Sequence, residues 1–485
     1  MTTRTAGRTL RLLTTLPTTL LPILLSILLQ TATPALAQVP TDPFPMPIEA
    51  TAGVVRVNVV EFASIPDVGT EAARIMLLVD EPGTRRLFVN DMRGPLYTVS
   101  YDGKAVAQYV DTNAPAWGHP VQSMGRERGF QSFAFHPQFG QAGTRGFGKF
   151  YTWGDSSNMT PAPDFVPAME GPRTHDTVLL EWTAKTPGAA TYDGDAPREL
   201  FRLRQPFANH NAGHLAFNST AASGSPDFGL LYVGIADGGS GGDPMRMAQN
   251  LGNAFGKIFR IDPLGTSSAN KKYGIPASNP FVNKAGTLPE IYAFGVRNPQ
   301  RFAWDSRTGR LFLADIGQNI VEEVSVVTAG ANLGWNDWEG SFKYLSRDGV
   351  ALTGMRGDAA VTYPVVEYGQ PDPLFQPTSA VTGVVVYRGN QIPQLANLLV
   401  FGDMPSGEVL YVNADALPSG GQDAIRRILL TQNGTSRTLL EIIKEKNAAQ
   451  GKKPATRADL RFAVGPNNQI FLLNKGDGTI RALAR

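Results

Sequence analysis

Gly309-Arg310-Leu311-Phe312-Leu313-Ala314-Asp315, followed by Val324-Ser325-Val326-Val327, carries the pattern that decides the fold. Apolar and polar residues alternate through a short strand, polar residues make a turn, and a second strand returns. The unit recurs as Arg86-Leu87-Phe88-Val89-Asn90-Asp91 with Gly94-Pro95-Leu96-Tyr97-Thr98-Val99, and as Leu398-Leu399-Val400-Phe401-Gly402-Asp403 with Gly407-Glu408-Val409-Leu410-Tyr411-Val412. It recurs again as Gln469-Ile470-Phe471-Leu472-Leu473 with Gly478-Thr479-Ile480-Arg481-Ala482-Leu483. Each is two strands of one antiparallel sheet. Such units, spaced by tens of residues and unable to bury a face alone, predict an all-β protein, a six-bladed β-propeller with long inter-strand loops. About 450 mature residues divide into roughly six blades of some seventy-five residues each. Val55-Arg56-Val57-Asn58-Val59 is expected to close the ring against the last blade, and residues 438–446 have the spacing of a surface helix. One domain is expected over residues 51–485, after a Pro-rich lead-in over residues 38–50.

Composition limits the chemistry. The chain holds 51 glycines and 36 prolines among 485 residues, yet 42% are hydrophobic, so it is rich in turns and still able to build a core. It has no cysteine, which excludes thiolate zinc sites, iron-sulfur clusters, covalent c-type haem and a cysteine nucleophile. Any cofactor must therefore bind through nitrogen and oxygen. With 44 basic and 42 acidic residues, nothing reads as a nucleic-acid surface. Arg4, Arg8 and Arg11, an apolar run over residues 16–29 and Ala35-Leu36-Ala37 predict an export signal over residues 1–37. Broken by Pro17 and Pro22, the run is short for a spanning helix, so the expectation is a periplasmic or secreted protein with no stable membrane anchor.

Four stretches could carry chemistry. In Asn209-His210-Asn211-Ala212-Gly213-His214, His210 stands in a strand-entry turn where an imidazole can take a proton; the alternative is that it bonds its own turn. In Asp237-Gly238-Gly239-Ser240-Gly241-Gly242-Asp243-Pro244, glycines let Asp237 and Asp243 converge on a hard cation, or the aspartates merely cap turns. Gly295-Val296-Arg297-Asn298-Pro299-Gln300 puts a planar cation beside an amide at a loop mouth, suited to a carboxylate or quinone oxygen, with a salt bridge inside the blade as the alternative. Asp315-Ile316-Gly317-Gln318-Asn319, with Trp335 and Trp338 further on, offers turn carbonyls for calcium and flat faces for a ring, although tryptophans also serve as packing.

The order of these motifs resembles the soluble pyrroloquinoline-quinone (PQQ)-dependent sugar dehydrogenases, the glucose/sorbosone dehydrogenase family, in a branch that also resembles the Hedgehog-interacting protein. Gly129-Phe130-Gln131-Ser132-Phe133-Ala134-Phe135-His136-Pro137, the Asn209 turn, the Asp237 loop, Ala254-Phe255-Gly256-Lys257-Ile258-Phe259-Arg260-Ile261-Asp262-Pro263 and the Arg297, Asp315 and Trp335 stretches carry the likeness, with Phe401-Gly402-Asp403 after them. The resemblance implies a six-bladed propeller that oxidises the anomeric hydroxyl of an aldose or related sugar to its lactone. It implies His210 as general base, Arg297 as both a catalytic and a cofactor contact, and Glu127, Asn209 and Asn298 as further cofactor contacts. Gly317 and Gln318 are implied to hold the calcium that polarises the quinone, and a separate electron acceptor is implied because no haem-attachment motif is present.

The chain departs from the soluble glucose dehydrogenase pattern at two places. His214 stands where that branch has Arg, and Met404 or Pro405 stands where it has a cofactor-binding Lys, which removes one charge partner for a cofactor carboxylate. Ala212 also replaces one Gly of the related Asn-His-Asn-Gly-Gly pattern. Two other readings therefore stand beside the dehydrogenase: a non-catalytic, calcium-stabilised propeller that binds carbohydrate or protein, and a calcium-dependent lactonase. Loops around residues 154–174 and 341–376, with Trp153, Tyr344, Tyr363 and Tyr368, are expected to face the sugar or to pack.

Overall fold

In the computed structural model residues 42–172, 174–211 and 213–485 are described; the expected export signal and the start of the Pro-rich lead-in lie outside them. The alternating pattern becomes short antiparallel strands, because a strand with one apolar face gains stability only by packing that face on a neighbouring sheet. Four sheets each use four strands in sequence order. Ile75–Asp80, Arg86–Asp91, Pro95–Ser100 and Val106–Asp111 form the first, and Phe130–Phe135, Lys149–Ser156, Asp176–Thr183 and Arg198–Arg204 the second. The third comprises Leu215–Phe217, Leu231–Ile235, Lys257–Ile261 and Ile291–Phe294; the fourth Pro299–Trp304, Leu311–Asp315, Val321–Val327 and Val366–Gly369.

A wider sheet closes the molecule. Val381–Val386, Leu398–Asp403, Val409–Asn413 and Arg426–Gln432 run in order, and Arg461–Val464, Ile470–Leu473 and Thr479–Ala484 form its other end. Val55–Ser64 lies between the two groups, parallel to Arg426–Gln432 and antiparallel to Thr479–Ala484. The expected closing strand therefore pairs with the last strand of the chain, and also with one the sequence pattern did not suggest. Val57 and Val59 of this strand are buried, while Arg56, Asn58 and Val60 are exposed, the two-residue period of a half-covered strand.

The first strands of the sheets meet one another: Ile75–Asp80 touches Phe130–Phe135 and Arg461–Val464, and Val381–Val386 touches Pro299–Trp304 and Arg461–Val464. Between sheets the core is rich in aromatic residues. Trp153, Phe201 and Phe259 share one cluster, and Phe150 stacks on Trp182 at 5.7 Å. Trp153 and Tyr368 are fully buried, so both belong to this packing and neither presents a face to a sugar. Residues 438–446 do fall on a helix, Leu439–Ala449, which buries Leu439, Ile442 and Ile443. Thr438 and Glu441 cap it reciprocally, satisfying two backbone N–H groups that helix geometry leaves without partners. No helix among the described residues is long and apolar enough to cross a membrane.

Candidate functional site

Loops before the first strands, carrying Glu127, His210 and Arg297, meet loops after the second strands, carrying Asp237 and the Gly317–Gln318 turn. His210 ends its loop with φ of 53°, a left-handed conformation that turns the chain sharply before Leu215–Phe217. Its backbone N–H donates to Glu127 Oε2 at 2.9 Å, and its Nδ1 lies 2.8 Å from Asp237 Oδ1. Asp237 is buried and also accepts from Gly239 N at 2.9 Å and, on Oδ2, from Trp335 Nε1 at 2.9 Å. Burial alone would raise the Asp237 pKa, but His210 and Arg297 outweigh it and hold the carboxyl below its usual value. An ionised acceptor at Nδ1 keeps the proton there and leaves Nε2 of His210 as the proton acceptor. Gly239, at φ 95°, is required in this geometry: a Cβ on it would stand 2.5 Å from the Asn209 carbonyl and side-chain oxygens.

Asp315 builds the second half. It ends strand Leu311–Asp315 and accepts from the backbone N–H groups of Arg297 at 2.8 Å and Asn298 at 2.6 Å, fixing the loop mouth. The Arg297 guanidinium donates through Nη1 to the carbonyls of Ile316 at 2.8 Å and Gly317 at 2.5 Å, and through Nη2 to Gln318 Oε1 at 3.3 Å. It also lies 5.5 Å over the Trp335 ring, so one indole touches both halves of the site. Arg297 Nε is buried with no hydrogen-bond partner among the described residues. Asn298 Oδ1 accepts from Gln300 at 2.9 Å, and Asn209 Oδ1 from Ser240 N at 3.2 Å.

The expected cation ligands are differently engaged. Asp237 uses both oxygens on His210, Gly239 and Trp335, and Asp243 caps the next turn by accepting from Met247 N at 2.9 Å and Ala248 N at 2.8 Å. The ammonium of Lys257 already fills that loop, donating to the carbonyls of Met247, Ala248 and Phe255 at 2.8, 3.0 and 2.6 Å. Burial pushes its pKa down to about 7. The Gly317 carbonyl and Gln318 Oε1 face Arg297, while Glu339 Oε1 gathers the N–H groups of Gln318, Asn319, Ile320 and Val321 at 2.8 to 3.1 Å. Gly317 admits no side chain, because a Cβ would meet the Val321 carbonyl at 1.6 Å. No three His, Cys, Asp or Glu side chains among the described residues are arranged to hold a metal.

A set of cations not singled out from the sequence completes the site. Arg461 is buried, its Nε has no partner among the described residues, and burial lowers its pKa to about 10. Arg457 pairs with Asp459 at 2.6 Å and reaches Met404 Sδ at 3.4 Å, and Lys475 donates to the Arg126 carbonyl at 2.8 Å. Burial and the field of Arg461 push the Lys475 pKa to about 7, and Arg74 and Arg457 add to that field. Asp459 feels Lys475, Arg457 and Arg461, so one carboxylate faces three cations. Arg457 thus brings positive charge to Met404. The spacing Arg457-Ala458-Asp459-Leu460-Arg461 at a strand entry is the sequence signal that marks this set. Glu127 connects the halves, since it bonds His210 and acts on Arg461. Of the aromatics, Tyr344 is half-buried with its ring edge-on to Trp335 at 5.0 Å, and Tyr363 packs on Trp338 at 5.1 Å. His214 is buried, 3.3 Å from Ser132 Oγ and packed on Phe302; Ala212 lies outside the described residues.

A family model described as Glucose / Sorbosone dehydrogenase matches residues 79–434. The chain is 31% identical over 311 residues to the HIPL1 protein of Arabidopsis thaliana, a match covering 57% of this chain and 43% of that one. It is 28% identical over 229 residues to the aldose sugar dehydrogenase YliI of Escherichia coli, covering 46% of this chain and 54% of that one. It thus spans about half the length of these curated relatives. The PQQ-bound form of aldose sugar dehydrogenase from Streptomyces coelicolor shares the all-β fold, with a TM-score of 0.54 at 20% identity over 88% of this chain and 98% of that one.

Proposed function

The chain belongs to the glucose/sorbosone dehydrogenase family, and from that membership we propose that it is an exported quinoprotein, periplasmic or secreted, that oxidises the anomeric hydroxyl of an aldose or related sugar to a lactone. A six-bladed propeller is part of the proposal. It is supported by the four four-stranded sheets, and by the wide sheet reading as two further groups joined through Val55–Ser64.

One observation carries the catalytic reading: His210 is held from Nδ1 by Asp237, which leaves Nε2 as the acceptor at the loop end of the molecule. His210 takes the hydroxyl proton there, and Asp237 stabilises the imidazolium that forms. Bound PQQ would supply the two-electron acceptor for the hydride. Its carboxylates fit the surplus of positive charge around Arg461, Arg457, Lys475 and Arg74, and a quinone oxygen fits the Nε of Arg297, unpartnered among the described residues, beside Asn298. Trp335 keeps the base and the guanidinium in register. Electrons pass onward to a separate acceptor.

Calcium fits less well. Gly317 and Gln318 offer neutral oxygens of the right kind, but both already accept from the Arg297 guanidinium. The second reading is a non-catalytic, calcium-stabilised propeller that binds carbohydrate or protein, and the same contact weighs on its calcium equally. Reconstitution separates the two: with PQQ and calcium added, an aldose should reduce an artificial dye, and His210→Ala should abolish turnover while PQQ absorbance on the protein persists. Absence of both quinone absorbance and dye reduction across an aldose panel rejects the dehydrogenase. The weaker lactonase reading requires lactone opening without quinone.

A further inference from the structure

We propose that the end of the central space opposite His210 is a second binding site, for an apolar molecule bearing one carboxylate. A cavity of about 450 Å³ lies there, within the usual size of small-ligand sites. Strand direction separates it from the site described above. Glu127, His210 and Arg297 precede the strands Phe130–Phe135, Leu215–Phe217 and Pro299–Trp304, whereas the cavity is lined by residues 133–135 and 301–303 within two of these strands and by residues 214–219, which run from just before the short third strand to beyond its end. The proposal goes beyond sugar oxidation and does not depend on it.

The wall is largely apolar: Leu78, Phe135, Phe217 and Phe302 come one from each four-stranded sheet, and Val384 and Phe462 from the two ends of the wide sheet. Exposed Ser219 and Val464 mark the mouth. The charged group in the inner wall is Arg301, which is 3% exposed. Its Nη1 and Nη2 each donate to a backbone carbonyl, those of Gln300 and Met76, both at 2.6 Å. Its Nε has no hydrogen-bond partner, and no carboxylate pairs with it, among the described residues. Nearby Arg461 repels it rather than balancing it.

The remaining titratable groups in the wall do not neutralise Arg301. His214 is buried and held neutral, its pKa pushed well below the usual range by burial and then by Arg301. Asp80 ends strand Ile75–Asp80 and accepts from Tyr101 at 2.6 Å, so its charge lies towards the outer end of the cavity. A buried cation facing no anion is unfavourable, and an apolar space of this size is filled best by hydrocarbon. A carboxylate at Arg301 with a saturated tail along the Phe and Val wall meets both requirements, through a charge-assisted bond at the inner end and apolar burial along the rest.

Calorimetric titration of the full chain with decanoate and with decanol tests this. The expected result is saturable one-to-one binding of decanoate, at least tenfold tighter than decanol. Arg301→Met should reduce decanoate to the affinity of decanol and leave decanol unchanged. Ser219→Trp, at the exposed mouth, should weaken both at least tenfold, and Lys475→Met, at the other end, should change neither. Three results would each overturn the proposal: no saturable binding to the wild-type chain, equal affinity for acid and alcohol, or decanoate binding lost in Lys475→Met but kept in Ser219→Trp. If Arg301→Met does not fold, the acid-to-alcohol ratio of the wild type together with Ser219→Trp decides the matter.

Discussion

At His210 two carboxylates act on different atoms: Glu127 holds the backbone N–H, and Asp237 holds Nδ1. Asp237→Asn keeps the shape but removes the charge that orients the base, so turnover of the reconstituted protein should fall by about 10²–10⁴-fold, the usual size of a general-base contribution. PQQ binding, followed by absorbance, should change little; a parallel loss of binding would instead place Asp237 in the structure of the pocket. Arg297 has a consequence that runs the other way. Because its guanidinium takes the Gly317 carbonyl and Gln318 Oε1, Arg297→Ala should bind calcium more tightly than the wild type in the absence of quinone. Calorimetry with calcium alone reads this, and unchanged or weaker binding argues against calcium at the turn. The histidine and the Arg-Asn pair were visible in the sequence because each sits in a distinctive turn. The part of Asp237 was not, since its partners His210 and Trp335 lie 27 and 98 residues away. Arg457, Arg461 and Lys475 were missed for the same reason: scattered basic residues look like solvated surface until folding crowds them round one aspartate.

Among the elements, strand Lys149–Ser156 carries a buried acid that links stability to pH. Burial raises the Asp155 pKa to about 7, despite bonds from Thr177 Oγ1 at 2.6 Å and Gly129 N at 3.0 Å. His175, 4.0 Å away, gives little help, because burial lowers its own pKa to about 4 and it is neutral above that. The folded state therefore keeps a proton on Asp155 that the unfolded chain loses near pH 4. Its contribution is fully present below pH 4 and is lost progressively as pH rises through 7, by a few kcal/mol at order of magnitude. Asp155→Asn should flatten this fall, so urea unfolding at pH 5 and pH 8 should differ less in the variant than in the wild type; an equal pH difference refutes the assignment. The strand pairs themselves were legible, because alternation is local and each turn is polar. Trp153 and Tyr368 were not placed, since a loop aromatic and a core aromatic look alike until the neighbouring sheet is known.

For the whole molecule, closure depends on Val55–Ser64. It lies near the start of the described chain and pairs with Arg426–Gln432 on one side and with Thr479–Ala484 on the other, so the two ends of the wide sheet are held by backbone hydrogen bonds across this one strand. Val59→Asp would bury an unpaired carboxylate at a 3% exposed position, and should cost more than about 3 kcal/mol by urea unfolding, with loss of a single cooperative transition. A change below about 1 kcal/mol would mean that the ring is closed elsewhere. What the sequence determined by itself is what short-range pattern can encode: strands in pairs, turns at glycine and proline, a capped helix, and an ordered set of motifs that identifies the family. The tertiary structure alone decided which charges meet. Asp237 meets the His210 ring and Trp335, Arg297 meets the Gly317–Gln318 turn, Arg457 comes to Met404, and Arg301 to an apolar cavity. Electrostatic pairing depends on distances across different sheets, and no periodicity along one strand carries that information.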